Sequence, residues 1–206
     1  RGLGDVYKRQ MQNCAAVDEL IVVTRTSRLE EIAALRDQYA LTKMTKVVVG
    51  GMTRAESSLA GVLAASNRAT LIGVHDAARP LVTDVIITDT ISAAQKSRAA
   101  APGIPVRDTV KVTSDGIITG TPARSTLSAI QTPQVFRAEL LRRAYETEYR
   151  PEFTDDASVV ELSGEAVFLC EGERANLKIT TPEDTVIAEA LLADREETHE
   201  TDGENI

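Results

Sequence analysis

The chain has 206 residues, 43% of them apolar, with three Phe, four Tyr and no Trp, enough for one domain cored chiefly by Val, Ile, Leu and Ala. A formal charge of −8 and an isoelectric point near 4.9 exclude a general nucleic-acid binder, which carries a basic footprint, although a few focused Lys and Arg residues suffice to hold a phosphorylated small molecule. Cys14 and Cys170 are too few for a disulfide framework, no apolar run approaches the ~18 residues of a membrane span, and residues 1–10 lack the apolar core of a signal peptide, so the expectation is a cytoplasmic protein with neither membrane nor nucleic-acid partners.

Residues 1–10 (Arg-Gly-Leu-Gly-Asp-Val-Tyr-Lys-Arg-Gln) read as a non-native leader, and the domain is expected over residues 11–195. Apolar runs at Glu19–Thr24, Lys46–Gly50, Thr70–His75 and Ala166–Cys170 predict strands, several without polar alternation, as in a parallel sheet covered on both faces. Helices are predicted between them. Ser27-x-x-Glu30 makes a capping box ahead of Leu29, Ile32, Ala33 and Tyr39, and Thr53-x-x-Glu56 makes another ahead of Leu59, Val62 and Leu63. Further helices are predicted over Thr83–Lys96, Phe136–Glu148 and Thr154–Leu162. A last one opens with Thr181 as N-cap and Pro182 at its first position and ends near Arg195, ahead of an acidic, disordered tail at 196–206. The alternation predicts an α/β domain with a Rossmann-like, wound, mostly parallel sheet. One insertion interrupts it: within residues 106–124, Thr109–Thr113 and Ile117–Thr121 flank Ser114-Asp115-Gly116, a hairpin signal. A lone hairpin is marginal in water, so this arm is expected to pack on the second subunit of a homodimer rather than on its own domain.

The chemistry concentrates where strands end. The Thr70–Val74 run breaks into His75-Asp76-Ala77-Ala78-Arg79-Pro80, at the end of a strand where open α/β sheets bind ligands. There an Asp can hold Mg²⁺ or a sugar hydroxyl and an Arg a phosphate, while a turn-stabilising Asp and a surface ion pair are the plain alternatives. Gly50-Gly51 leads into the helix capped by Thr53, with Ser57 in its first turns, which suits close approach of a ligand to backbone N–H groups as well as an ordinary turn. Arg107, Thr109, Arg124 and Lys178 add donors at scattered positions.

Together these segments form a pattern. Gly-Gly-x-x-Arg-Ala-Glu-Ser at 50–57, His-Asp-Ala-Ala-Arg-Pro at 75–80, Pro-Val-Arg-Asp-Thr at 105–109, Gln-Thr-Pro-Gln-x-Phe at 131–136, Thr-Asp-Asp-Ala-Ser at 154–158 and Asn-x-Lys-Ile-Thr at 176–180 resemble, in order and spacing, the 2-C-methyl-D-erythritol 4-phosphate cytidylyltransferases of the non-mevalonate isoprenoid pathway. The resemblance implies the nucleotidyltransferase fold and transfer of CMP from CTP to methylerythritol phosphate, with Mg²⁺ or another divalent cation and no certain protein ligand for it. It places Gly50, Gly51, Ser57, Asp76 and Ala77 on the cytidine side. Arg79, Thr109, Arg124, Thr132 and Lys178 fall on the acceptor side, with Arg124, Lys178 and Asp76 as the catalytic candidates. Thr109 and Arg124, on the arm, would reach the partner subunit's site.

The family also begins with a strand and a glycine-rich loop bearing an Arg and a Lys that wrap the triphosphate. Residues 1–10 do not match it, and neither Lys8 nor Arg9 is assigned those roles. The expectation is that the chain is N-terminally truncated and inactive as given. The alternatives are a transferase for ribitol 5-phosphate and a non-catalytic nucleotide-binding remnant.

Overall fold

A computed structural model describes residues 10–148, 150 and 152–203, with side chains to residue 195. The leader and Lys8 and Arg9 lie outside the described residues, apart from Gln10, which opens a helical turn at 10–13. The elements in order are β1 (Leu20–Thr24), α1 (Leu29–Gln38), β2 (Met44–Val49), α2 (Arg54–Ala64), β3 (Leu71–Val74), α3 (Asp84–Ser97), β4 (Ala99–Pro105), β5 (Val112–Ser114), β6 (Ile117–Gly120), β7 (Ser128–Ile130), β8 (Gln134–Arg137), α4 (Ala138–Glu148), α5 (Asp156–Leu162), β9 (Phe168–Glu171) and α6 (Pro182–Gly203).

The architecture is α/β and its pairing is mixed. β1 and β2 form a parallel pair, and β4 and β9 form another inside a five-stranded sheet ordered β3-β8-β4-β7, where the remaining pairings are antiparallel. Three of these strands carry no sequence signal. β4 reads Ala-Ala-Ala-Pro-Gly-Ile-Pro, with Ile104 its one β-branched residue, because helices crowd it from above and below. β7 is three residues long, and β8 takes Phe136, expected to start a helix, into a four-residue strand before α4 begins at Ala138.

The period of two then builds a three-layer core. Ala99 and Phe136 point to one face, where Val62 of α2, Leu140 and Leu141 of α4 and Val159 and Val160 of α5 close over them. Ala100 and Val135 point to the other, against Ala94 of α3. Met11 and Cys14 pack with Val82, Ile86 and Ile87 at the start of α3.

The capping signals divide. Thr53 makes its full box with Glu56, and Thr83 and Asp155 cap α3 and α5. Ser27 caps nothing: it sits inside a 3-10 turn, Thr26–Arg28, so α1 starts at Leu29, one residue later than the box predicts, with Arg28 in the cap position and no side-chain bond there. The last helix does not stop near Arg195 but runs through Gly203, along a stretch rich in helix-forming Glu with no earlier Gly or Pro to break it; of the expected disordered tail, residues 204–206 lie outside the described residues. A hairpin forms where the sequence predicts one, with a shorter first strand: β5 begins at Val112 rather than Thr109 and takes in Ser114, which was expected in the turn. β5 and β6 pair through Asp115 and Gly116, both at positive φ (51° and 78°), which is the primed turn that suits a two-residue hairpin. Val112, Ile117 and Ile118 on it are exposed.

Candidate active site

Five segments meet at one cavity of ≈340 Å³: the turn after β3, the β7–β8 link, the N-termini of α2 and α5, and the loop after β9. A larger open groove of ≈430 Å³ lies between α1 and β2, but it holds none of the motif residues, so the chemistry belongs to the smaller one.

Asp76 is the centre. Lys178 Nζ lies 2.8 Å from its Oδ2, Arg54 Nη2 3.6 Å from its Oδ1 and Arg79 Nε 3.9 Å from its Oδ2. Burial alone would push this carboxyl up. The Lys178 hydrogen bond, with the charges of Lys178, Arg54 and Arg79, outweighs it and holds the group below the usual carboxylate range. Asp76 is therefore an anion serving three cations.

The backbone makes that convergence possible. Arg79 N–H donates to Asp76 O at 2.9 Å, closing a β-turn, and Ile179 N–H donates to Ala78 O at 2.7 Å, which brings the residue after Lys178 onto the same turn. Arg79 extends the link by donating from Nη1 to Asn176 O at 2.7 Å and from Nη2 to Ile130 O at 3.3 Å. Burial lowers its guanidinium pKa, and Asp76 only partly offsets this. Two buried amides complete the frame. Gln131 donates to Glu173 O and accepts from Glu173 N–H, and Asn176, fully buried, donates to Thr132 O at 3.0 Å. The Lys178 loop is thus clamped at four backbone positions: Glu173 N and O, Asn176 O and Ile179 N.

Arg54 joins the site to the core. Its Nη2 also lies 2.8 Å from Oδ2 of Asp156, a carboxylate with no exposed surface, whose Oδ1 accepts from Tyr145 Oη–H at 2.5 Å. Burial works against the Arg54 charge, but Asp156 and Asp76 more than compensate. Tyr145, raised by burial and by Asp156, stays neutral as a donor. Gln134 orders the same corner: its Oε1 accepts from Asp156 N–H at 3.0 Å and Ala157 N–H at 2.9 Å, and its Nε2 donates to Asp155. Arg54 Nη1 is buried without a hydrogen-bond partner.

The expected site residues fall in three places. Asp76, Arg79, Thr132 and Lys178 line the cavity, with Ala77 in the same turn. Gly50 and Gly51, just ahead of α2, and Ser57, in its first turn, stand outside the lining, and close packing explains the glycines there. A Cβ on Gly50 would lie 2.6 Å from Ser57 Oγ, and one on Gly51 2.2 Å from Glu56 Cβ. Ser57 Oγ donates to Thr53 O at 3.0 Å. Thr109 and Arg124 are exposed on the segment carrying the arm, also outside the lining, with Arg124 Nη1 donating to Arg107 O at 2.7 Å. The sequence reading assigned no role to Arg54, His75, Gln131, Gln134, Asp155, Asp156 or Asn176. All stand inside the quoted motifs, so the signal was present; what each does became visible only through its partner.

With that geometry established, relatedness is direct. The profile of the 2-C-methyl-D-erythritol 4-phosphate cytidylyltransferase family matches residues 7–194. The protein of that description from Caldanaerobacter subterraneus is 43% identical over 180 residues, spanning 85% of this chain and 79% of the relative. One from Clostridium botulinum is 38% identical, spanning 86% and 79%. The crystal structure of 4-diphosphocytidyl-2C-methyl-D-erythritol synthase from Anaerococcus prevotii superposes with a TM-score of 0.83 at 30% identity, covering 94% of this chain and 86% of that one. The chain belongs to the 2-C-methyl-D-erythritol 4-phosphate cytidylyltransferase family.

Proposed function

We propose that this protein transfers CMP from CTP to 2-C-methyl-D-erythritol 4-phosphate. A phosphate oxygen of the acceptor attacks the α-phosphorus of CTP, the bond from that phosphorus to the bridging oxygen of the β-phosphate breaks, and pyrophosphate leaves. The nucleophile is already largely dianionic near neutral pH, its second pKa being about 6, so no general base is required. What the reaction needs is two anions held together with their charge offset, and the observation that carries the reading is the trio Lys178, Arg79 and Arg54 around Asp76. In this reading Lys178 orients the attacking phosphate with Arg124 of a second subunit, Thr109 and Thr132 assist on the acceptor side, and Gly50, Gly51, Ser57, Asp76 and Ala77 face the nucleotide.

The exposed Val112, Ile117 and Ile118 support an arm that packs on a second copy, making a homodimer. Mg²⁺ would supply charge neutralisation along the triphosphate. No group of three or more His, Cys, Asp or Glu able to hold a metal occurs among the described residues, and Asp76 is already paired with Lys178, so the nucleotide's own oxygens fit the ion best. No helix among the described residues is long and apolar enough to cross a membrane, and both cysteines are free, which supports a cytoplasmic location.

The test is pyrophosphate release from CTP and Mg²⁺ with methylerythritol phosphate and, separately, ribitol 5-phosphate. It is run on this chain and on one extended by a family-type first strand and glycine-rich loop. We expect turnover of methylerythritol phosphate and much slower turnover of ribitol 5-phosphate. A folded, dimeric extended chain silent toward methylerythritol phosphate would overturn the assignment.

A further inference from the structure

His75 sits in the motif next to Asp76, yet the transfer reaction gives it no task. Its ring is partly buried, and each of its nitrogens meets an oxygen. Nε2 lies 3.1 Å from Arg79 O, and Nδ1 lies 3.0 Å from Thr132 Oγ1. A carbonyl oxygen can only accept, so Nε2 carries the proton. Thr132 Oγ1 in turn accepts from Asp76 N–H at 3.0 Å, which leaves its single proton for Nδ1. The string therefore runs in one direction: Asp76 N–H to Thr132 Oγ1, Thr132 Oγ1–H to Nδ1, Nε2–H to Arg79 O. A second ring proton would turn the Thr132 proton away from Nδ1 and set another positive charge beside the partly buried Arg79.

We infer that His75 is a positioning residue: as a neutral imidazole in the Nε2–H form it closes the 75–79 turn and, through the Thr132 hydroxyl, fixes the Asp76 backbone so that its carboxylate faces Lys178, Arg54 and Arg79. Its effect on turnover rests on the proposed transfer reaction; the ring's tautomer does not. The geometry ties together two ends of one turn (Asp76 N–H and Arg79 C=O) through residue 75, which directly follows β3, and residue 132, which lies two residues ahead of its antiparallel partner β8. A shift of either partner moves the anchor of all three cations.

The chain has two histidines, His75 and His199, so ring ¹⁵N–¹H correlation spectra contain two spin systems, and His199→Gln assigns them. His75 should show a protonated Nε2 and a bare Nδ1, unchanged from pH 8 to pH 6. Thr132→Ser should keep that pattern, whereas Thr132→Val should shift Nδ1 and speed exchange of the Asp76 amide by about tenfold or more, the hydrogen bond's worth. In the extended chain, His75→Gln and His75→Asn each keep only one of the ring's two bonds. Both should lower kcat by about ten- to a hundredfold, with KM for CTP within about threefold, as misplacement of a reacting group does. A ring protonated on Nδ1, charged at pH 7, or indifferent to Thr132→Val would overturn the inference, as would full kcat in both His75 variants. The expected ring spectra without turnover of any alcohol phosphate would sink the transfer reaction and leave the relay standing.

Discussion

α4 buries Ala138, Leu140, Leu141, Ala144 and Tyr145 against the five-stranded sheet, whereas α1, of nearly the same length, buries none of its ten residues. The contrast extends to the strands beneath. β8 is buried at Gln134, Val135 and Phe136, while all five residues of β1 are only half-covered, in a ladder of two strands. Parallel pairs ordinarily sit inside larger sheets with both faces covered. The β1–β2 unit is instead tied to the rest through α2, with a smaller contact at the start of α3: Val23 lies against Gly61, Glu19 accepts from Ser66 N–H, Val62 inserts into the main core, and Leu20 packs on Val82, Ile86 and Ile87. The lesson is about where precision resides. Every residue around Asp76 belongs to the well-packed half except Arg54, and Arg54 sits on the helix that links the halves.

Arg54 is therefore where the comparison breaks most visibly. Arg54→Met would leave Asp156 buried with only Tyr145 as a partner, and removing one member of a buried ion pair costs about 3–5 kcal/mol. Urea denaturation should show a loss of that size, mostly recovered when Asp156→Asn is added. A single variant with wild-type stability would mean that the Arg54–Asp156 pair is not formed in solution.

Next comes a paired truncation that measures the two halves directly. Leu140→Ala, at a site with no exposed surface, should cost about 2–5 kcal/mol, the range for deleting a core leucine. Leu29→Ala, on the half-covered face of α1, should cost about 1 kcal/mol. Amide exchange should agree, with β1 and β2 opening well before β4 and β8. Equal costs would show that α1 packs as tightly as α4 in solution.

Acid sharpens the same contrast, because the titrating groups of the site lie in the packed half. Burial drives the His75 ring down from 6.5 to about 4, against the pull of its bond to Arg79 O and of Asp76. Its stabilising contribution is therefore complete above 6.5 and is lost as pH falls from there toward 4. Asp76, also depressed, contributes above its ordinary carboxylate value and loses that contribution only at lower pH still. The thermal midpoint should fall across the upper window, corresponding to more than about 1.4 kcal/mol, the equivalent of one pK unit, and His75→Gln should flatten it. Lys178→Met should move the Asp76 loss to higher pH, since burial then acts on the carboxyl without the Lys178 hydrogen bond.

Legibility in the sequence divides along physical lines. The four apolar runs became strands because their apolar and β-branched residues leave a compositional mark even where the strand is only partly covered, and the Asp115-Gly116 turn was readable because positive φ at two consecutive positions restricts the residues that fit. β4 and β8 were not readable: an alanine-rich strand shaped by crowding and a four-residue strand running into a helix have no period to detect. In the site, charged residues at strand ends announced Asp76, Arg79 and Lys178. The amides Gln131, Gln134 and Asn176 did not announce themselves, since a buried amide's role lies in the backbone groups it meets and these come from segments some 20 to 45 residues away.

The smallest predicted effect isolates one such failure. Ser27-x-x-Glu30 and Thr53-x-x-Glu56 are the same signal four letters long, one on each helix of the β1–β2 side. At Thr53 both halves of the box close: Glu56 N–H donates to Thr53 Oγ1 at 3.1 Å, and Glu56 Oε2 accepts from Thr53 N–H at 3.0 Å. At Ser27 the 3-10 turn takes the cap position away, and Arg28 instead pairs with Glu31 at 3.1 Å on the exposed surface. Thr53→Ala should therefore cost about 1 kcal/mol, the usual worth of an N-cap, and Ser27→Ala less than about 0.5 kcal/mol. Matched denaturation curves check both. An equal loss at Ser27 would mean that α1 begins earlier in solution, with its box closed, and that the lightly packed half is better ordered at its edge than its burial indicates.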